Sequence, residues 1–149
     1  MFEITPYVGA SLINFGMKRE EVRKIFSEYE PRAFWRNSYS ESATDGYEEI
    51  GINIYYDSND RAIALEFYEP AQVIFNGIEL SKLPAYEAYK LMASLDKDIV
   101  IDEDGLTSFK FGIGFYVPFY EEDYMLKVEA IIIFIEGYYD WNYNEKIDI

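Results

Sequence analysis

The sequence predicts an α+β protein: a mostly antiparallel sheet with two helices packed on one face. Two observations predict it. Apolar residues recur twice at helical spacing, and the runs that follow each stripe alternate with period two. Those runs are joined by turn residues, so strands follow one another instead of alternating with helices. That order favours antiparallel pairing with the helices segregated to one side.

The elements follow in chain order. Residues 6–16 form a lead-in with Gly9 and Gly16 as breakers. A first helix is expected over residues 18–29, where Val22, Ile25, Phe26 and Tyr29 fall at i, i+3, i+4 and i+7. Glu20 and Lys24 make an i,i+4 pair with the acid on the N-terminal side, and Pro31 stops the helix. Residues 32–46 are rich in Ser and Asn and read mostly as loop, with Phe34 and Trp35 as anchors.

From Tyr47 the period becomes two, with Ile50, Ile52 and Ile54 on one side. Asp57-Ser58-Asn59-Asp60 is turn chemistry, and residues 62–68 return as the partner strand. Asn76-Gly77 between residues 72–75 and 78–80 is a type I′ hairpin signal, because both positions must tolerate positive φ. Pro84 suits the first turn of a second helix, whose stripe is Ala88, Leu91, Met92 and Leu95. Residues 98–101 and 107–111 then bracket the turn signal Asp104-Gly105. The second of these strands is expected to run on through Gly112 and Gly114 to Val117. Residues 127–135 form the most apolar strand and belong at the centre of the sheet. Residues 138–149 are an aromatic, polar tail. The second stripe repeats the first after 66 residues, which suggests two helix-plus-strands half-repeats, 1–80 and 81–149, within one domain.

Charge narrows the function classes. Twenty-eight acidic residues face thirteen basic ones, for a net charge of −15, with no histidine and no cysteine. No imidazole shuttles protons near neutral pH, and no thiolate attacks substrate or binds a soft metal. A negative surface repels nucleic acid and suits a basic protein partner. The charge is uneven: residues 1–36 carry six basic and five acidic side chains, and residues 37–149 carry seven and twenty-three. Half the residues are hydrophobic and 19% are aromatic, which excludes disorder. The first six residues show no signal-peptide pattern, and the longest apolar run, residues 130–135, is too short for a membrane span. A soluble, cytoplasmic protein is expected.

Acidic motifs invite catalytic and metal readings for which the linear sequence offers little support. Glycosidases pair two carboxylates at a matched separation. Here Glu48-Glu49 and Glu121-Glu122 are adjacent, so on a strand they point to opposite faces. Aligning Gly105 with the glycine of an EF-hand loop puts Val100 first and Phe111 last, so both outer ligands are lost. Gly112-x-Gly114 lacks the third glycine and the Lys-Ser/Thr of nucleotide loops. No metal or cofactor is therefore expected. One combination remains. Tyr120 and Tyr124 flank Glu121, Glu122 and Asp123, and Asp102, Glu103 and Asp104 form a second acidic turn. Carboxylates pair with cationic side chains and rings stack on them, so these eight residues are the candidate partner-binding set.

The run Pro6-Tyr7-Val8-Gly9 through Phe15-Gly16-Met17-Lys18-Arg19-Glu20-Glu21-Val22 resembles a pattern of small bacterial proteins. Residues 73–80 and the closing Gly137-Tyr138-Tyr139-Asp140 are similar to the same group. These are immunity proteins that neutralise polymorphic or contact-dependent toxins. The Gly16-Met17 to Val22 piece is also similar to helix-plus-sheet modules of the beta-lactamase inhibitor protein type. The resemblance implies a non-enzymatic inhibitor of a cognate basic toxin, such as a nuclease, and brings no site residues with it. Two other readings stay open: a small-ligand or regulatory domain with a cavity beneath the sheet, and an acid-only glycosidase.

Overall fold

The computed structural model describes residues 1–139, so most of the aromatic tail, Trp141 included, lies outside the described residues. The chain opens with β1 (Phe2–Thr5), β2 (Gly9–Ala10) and β3 (Ile13–Asn14), followed by α1 (Arg19–Ile25). Next come β4 (Arg32–Phe34), β5 (Thr44–Tyr47), β6 (Ile52–Tyr56) and β7 (Ala62–Tyr68). A hairpin, β8 (Val73–Phe75) and β9 (Ile78–Glu79), leads into α2 (Ala85–Leu95). Four strands complete the order: β10 (Val100–Ile101), β11 (Gly105–Ser108), β12 (Ile113–Tyr116) and β13 (Ala130–Phe134).

The fold is α+β. Strands β4-β5-β6-β7-β13-β12-β11-β10 form one eight-stranded sheet, antiparallel throughout. A smaller sheet, β3-β2-β1-β8-β9, contains one parallel pair, β1 with β8. Both helices bury their apolar faces in one core cluster, Val22 of α1 with Phe26 at its C-terminal cap, and Ala88, Tyr89 and Met92 of α2. Alternate residues of the large sheet meet them there.

Two rows of side chains cross that face. Tyr47, Ile52, Phe67, Ile131, Phe115 and Leu106 are successive cross-strand neighbours, all buried. The neighbouring row runs Asp45, Ile54, Leu65, Ile133, Ile113, Ser108, and no member is more than 2% exposed. Its apolar middle is ordinary sheet packing. Its polar ends each hold a helix. Asp45 accepts hydrogen bonds from Arg19 Nη1 at 3.0 Å and from Arg23 Nε and Nη2 at 2.8 Å, clamping α1 to β5. Ser108 donates to Asp96, the residue that caps the C-terminus of α2, at 2.7 Å. Arg19 also bonds Asp60 and lies 4.1 Å from the Tyr56 ring centroid.

A shift of 66 residues relates the halves. It carries Arg19 onto Ala85, the first residues of α1 and α2. It carries the isolated bridge Lys18–Arg61 onto Pro84–Lys127. It carries the hydrogen bond from Arg19 N–H to the Asp60 carbonyl (2.9 Å) onto that from Ala85 N–H to the Leu126 carbonyl (2.8 Å). In the seam between halves, Glu66 pairs with Ile132, its own shifted counterpart, so β7 and β13 meet about a local two-fold axis. In each half, then, the loop before the last strand receives a free N–H of the helix start.

Several expectations need correction. The first helix ends at Ile25, not at Tyr29: Phe26 leaves helical geometry at φ −99°, ψ 32°, well before Pro31. The stretch 32–46 is mostly loop as expected, over residues 35–43, but its two ends hold β4 and most of β5. Strand β5 reads Thr-Asp-Gly-Tyr and is buried at every position, because α1 supplies cationic partners for Asp45. Residues 6–16 hold two short strands, β2 and β3, where a plain lead-in was expected, and β1 precedes them. The strand after residue 107 does not continue to Val117. Gly112, at φ 66°, turns the chain, and β12 pairs back on β11. The Asn76-Gly77 turn, with φ 54° and 76°, and central placement of β13 agree with expectation.

Removing Asp45 leaves two guanidinium groups without their buried partner, so Asp45→Ala is expected to lower unfolding free energy by about 3 kcal/mol in urea titration. The Tyr47 hydroxyl is buried with no hydrogen-bond partner among the described residues. Tyr47→Phe is therefore expected to change stability by less than about 1 kcal/mol in the same titration.

Candidate functional site

The candidate site is a groove of about 510 Å³ along α2. Tyr86, Tyr89, Lys90 and Ala93 lie at i, i+3, i+4 and i+7 and line one wall. Ile99 and Ile101 of the β10 region and Tyr120 and Tyr124 of the loop before β13 line the rest. That loop is fixed by the helix start: Tyr86 N–H donates to the Tyr124 carbonyl at 3.1 Å, next to the Ala85–Leu126 bond. Its own turn is closed by Glu122 and Asp123 N–H groups on the Phe119 carbonyl, at 2.9 and 2.8 Å. Asp123 also accepts from Met125 N–H at 3.0 Å.

The rings are ordered. Tyr89 and Tyr120 stack with centroids 4.4 Å apart and planes 7° from parallel. Tyr86 and Tyr124 meet edge to face at 5.8 Å and 87°, and Tyr120 and Tyr124 lie 6.4 Å apart. Tyr124 is 54% exposed and Ile101 58%, so the groove presents aromatic and aliphatic surface to solvent.

The second acidic turn directly follows Ile101 of the same groove. Asp102 accepts from the N–H groups of Asp104 (2.9 Å) and Gly105 (3.0 Å), a self-bonded turn of hairpin type. The Asp104 carbonyl accepts from Val117 N–H at 2.7 Å, tying this turn to the start of the tyrosine loop. Burial, then Tyr120, then the negative charge of Asp102 push the Tyr89 phenol up to about 12. Tyr89 is therefore a neutral phenol at pH 7, and the charge of Asp102 acts on it.

Of the eight predicted residues, Tyr120 and Tyr124 line the groove, and the six carboxylates lie on exposed turns next in the chain to its lining residues Ile101, Tyr120 and Tyr124. Asp102, Glu103 and Asp104 form one of these turns, and Glu121, Glu122 and Asp123 the other. Sequence reasoning missed Tyr86, Tyr89, Ile99 and Ile101. A signal existed: Tyr86, Tyr89 and Ala93 share a helix face beside the Ala88–Met92 stripe. Read alone, they look like an extension of the core face.

A second depression of about 430 Å³ lies beside α1. Phe2, Leu12, Ile13, Ile25, Phe26 and Ile50 line much of it, and its character is mainly apolar. Among the described residues, no helix is long and apolar enough to cross a membrane. Comparison of the chain with protein-family models, curated proteins and solved structures gives no match.

The geometry of the groove makes a measurable demand. Asp102→Asn is expected to lower the Tyr89 titration midpoint, followed by ¹³Cζ NMR, while leaving it above 10. Burial, the largest cause, is untouched by that change.

Proposed function

We propose that this protein is a non-enzymatic, immunity-type protein of the cytoplasm that binds a cognate basic toxin one to one. The observation that carries the reading is a groove walled by tyrosines, with the acidic loop 121–123 between two of its lining residues, Tyr120 and Tyr124, and the acidic turn 102–104 directly after a third, Ile101. Carboxylates at the rim steer a cationic partner and set its orientation. Exposed rings at the centre supply desolvated contact area at little entropic cost. Binding over a toxin's active site or substrate path would neutralise it without any chemistry by the inhibitor. Isothermal titration against the product of the neighbouring toxin gene is expected to give one-to-one binding that weakens steeply with salt. Alanine at 121–123 is expected to reduce affinity at least tenfold, chiefly by slowing association. Absence of binding, or binding indifferent to those substitutions, overturns the reading.

The depression beside α1 favours a second reading, a small-ligand or regulatory domain, since ligand sites are concave and mostly apolar. That reading expects saturable uptake of an apolar fluorescent probe, 1-anilinonaphthalene-8-sulfonate, abolished by Ile25→Trp. Probe binding unchanged by that substitution counts against it.

A further inference from the structure

The fold uses one recognition device twice on its own arginines. The Arg19 guanidinium lies 4.1 Å from the Tyr56 ring centroid while Asp45 and Asp60 accept its hydrogen bonds. The Arg32 guanidinium lies 4.8 Å from the Phe34 ring centroid and pairs with Glu48 at 3.2 Å. Each time a ring face and a carboxylate hold a guanidinium between them.

The α2 groove has the same ingredients. Its wall has the stacked Tyr89–Tyr120 pair and the perpendicular Tyr86–Tyr124 pair. Asp102 is close enough to act on Tyr89. Among the described residues, no arginine lines this groove. Lys90 stands at its wall, yet it makes no ion pair or ring contact among the described residues. The 66-residue shift carries Arg23 onto Tyr89. Where α1 supplies a guanidinium to its own sheet, α2 supplies a ring at the corresponding helix position.

Strand β10 adds a backbone component. It is the outermost strand of the large sheet, and Val100 and Ile101 are 48% and 58% exposed. Half the N–H and C=O groups of such a strand point away from the sheet and can pair with an incoming segment.

We propose that the α2 groove is a receptor for an arginine side chain carried on an extended segment of the protein partner. This rests on the binding reading above and specifies its contact. Arginine is favoured over lysine on physical grounds. Its planar, weakly hydrated guanidinium stacks on rings and donates from its edge to a carboxylate, whereas an ammonium stays strongly hydrated. The abundance of carboxylates alone attracts both cations equally.

The test uses the intact protein and two synthetic heptapeptides of equal charge, Gly-Arg-Gly-Arg-Gly-Arg-Gly and its lysine counterpart, with tyrosine resonances followed by NMR. The arginine peptide is expected to shift Tyr86, Tyr89, Tyr120 and Tyr124 saturably, with about fivefold higher affinity than the lysine peptide. Tyr124→Ala, at an exposed ring, is expected to remove that preference, and Tyr124→Phe to retain it. Equal affinities, a preference that survives Tyr124→Ala, or shifts confined to other tyrosines overturn the proposal. The two readings fail separately. A toxin that binds through the acidic loop but is indifferent to Tyr124→Ala leaves the binding function standing and removes the arginine receptor. Peptide selectivity at the groove without toxin binding does the reverse.

Discussion

One row of side chains, Asp45-Ile54-Leu65-Ile133-Ile113-Ser108, ties the molecule together. Its four apolar members knit β6, β7, β13 and β12 beneath both helices. Its two polar ends are buried, and a buried polar group costs free energy unless it is bonded. Each end meets that requirement by gripping a helix. Asp45 is served by Arg19 and Arg23 of α1, and Ser108 by Asp96 at the end of α2. Helix placement is therefore fixed by specific bonds, where apolar packing alone would tolerate sliding. The hydroxyl of Ser108 holds the Asp96 carboxyl below its ordinary value against the opposing effect of burial. The stabilisation this brings is complete above the ordinary carboxylate range, and it fades as pH falls through the lowered value.

The β7–β13 seam gives that row its continuity. Its pairing is centred on Glu66 and Ile132, so two four-stranded ladders join about a local two-fold axis and present their helices on the same face. The halves then diverge chemically. The first satisfies α1 with arginine–carboxylate bonds inside the fold. The second packs rings along α2 and leaves its carboxylates outside, on two turns bound together through Val117 and Asp104. Residues 37–149 carry the acidic excess, and these turns place part of it next in the chain to residues lining one aromatic groove.

Much of the fold could be read from residue order, because strong local rules applied. Asn76-Gly77 needs positive φ at both positions and made its hairpin. The run 62–68, apolar or aromatic but for Glu66 and set behind a turn, became β7 without adjustment. Strand β5 was invisible, since Thr-Asp-Gly-Tyr has no apolar alternation and depends on arginines about twenty residues earlier. The turn at Gly112 was misread as a bend, because a glycine in an apolar run is compatible with either. For the site, acids beside tyrosines pointed to residues 120–124 and 102–104. The wall contributed by Tyr86 and Tyr89 was hidden, since a ring on a helix looks alike whether it faces core or groove.

The sequence by itself determined the α+β class, the two helices, the hairpin turns and the 66-residue echo, all products of local periodicity and turn stereochemistry. Tertiary structure alone decided the two-sheet division, the seam at Glu66 and Ile132, and the buried Asp45 clamp. It also decided the tyrosine groove along α2, assembled from residues 86–93, 99–101 and 120–124. Those features depend on which residues become neighbours across long stretches of chain, and neither hydrophobic period nor turn propensity encodes that.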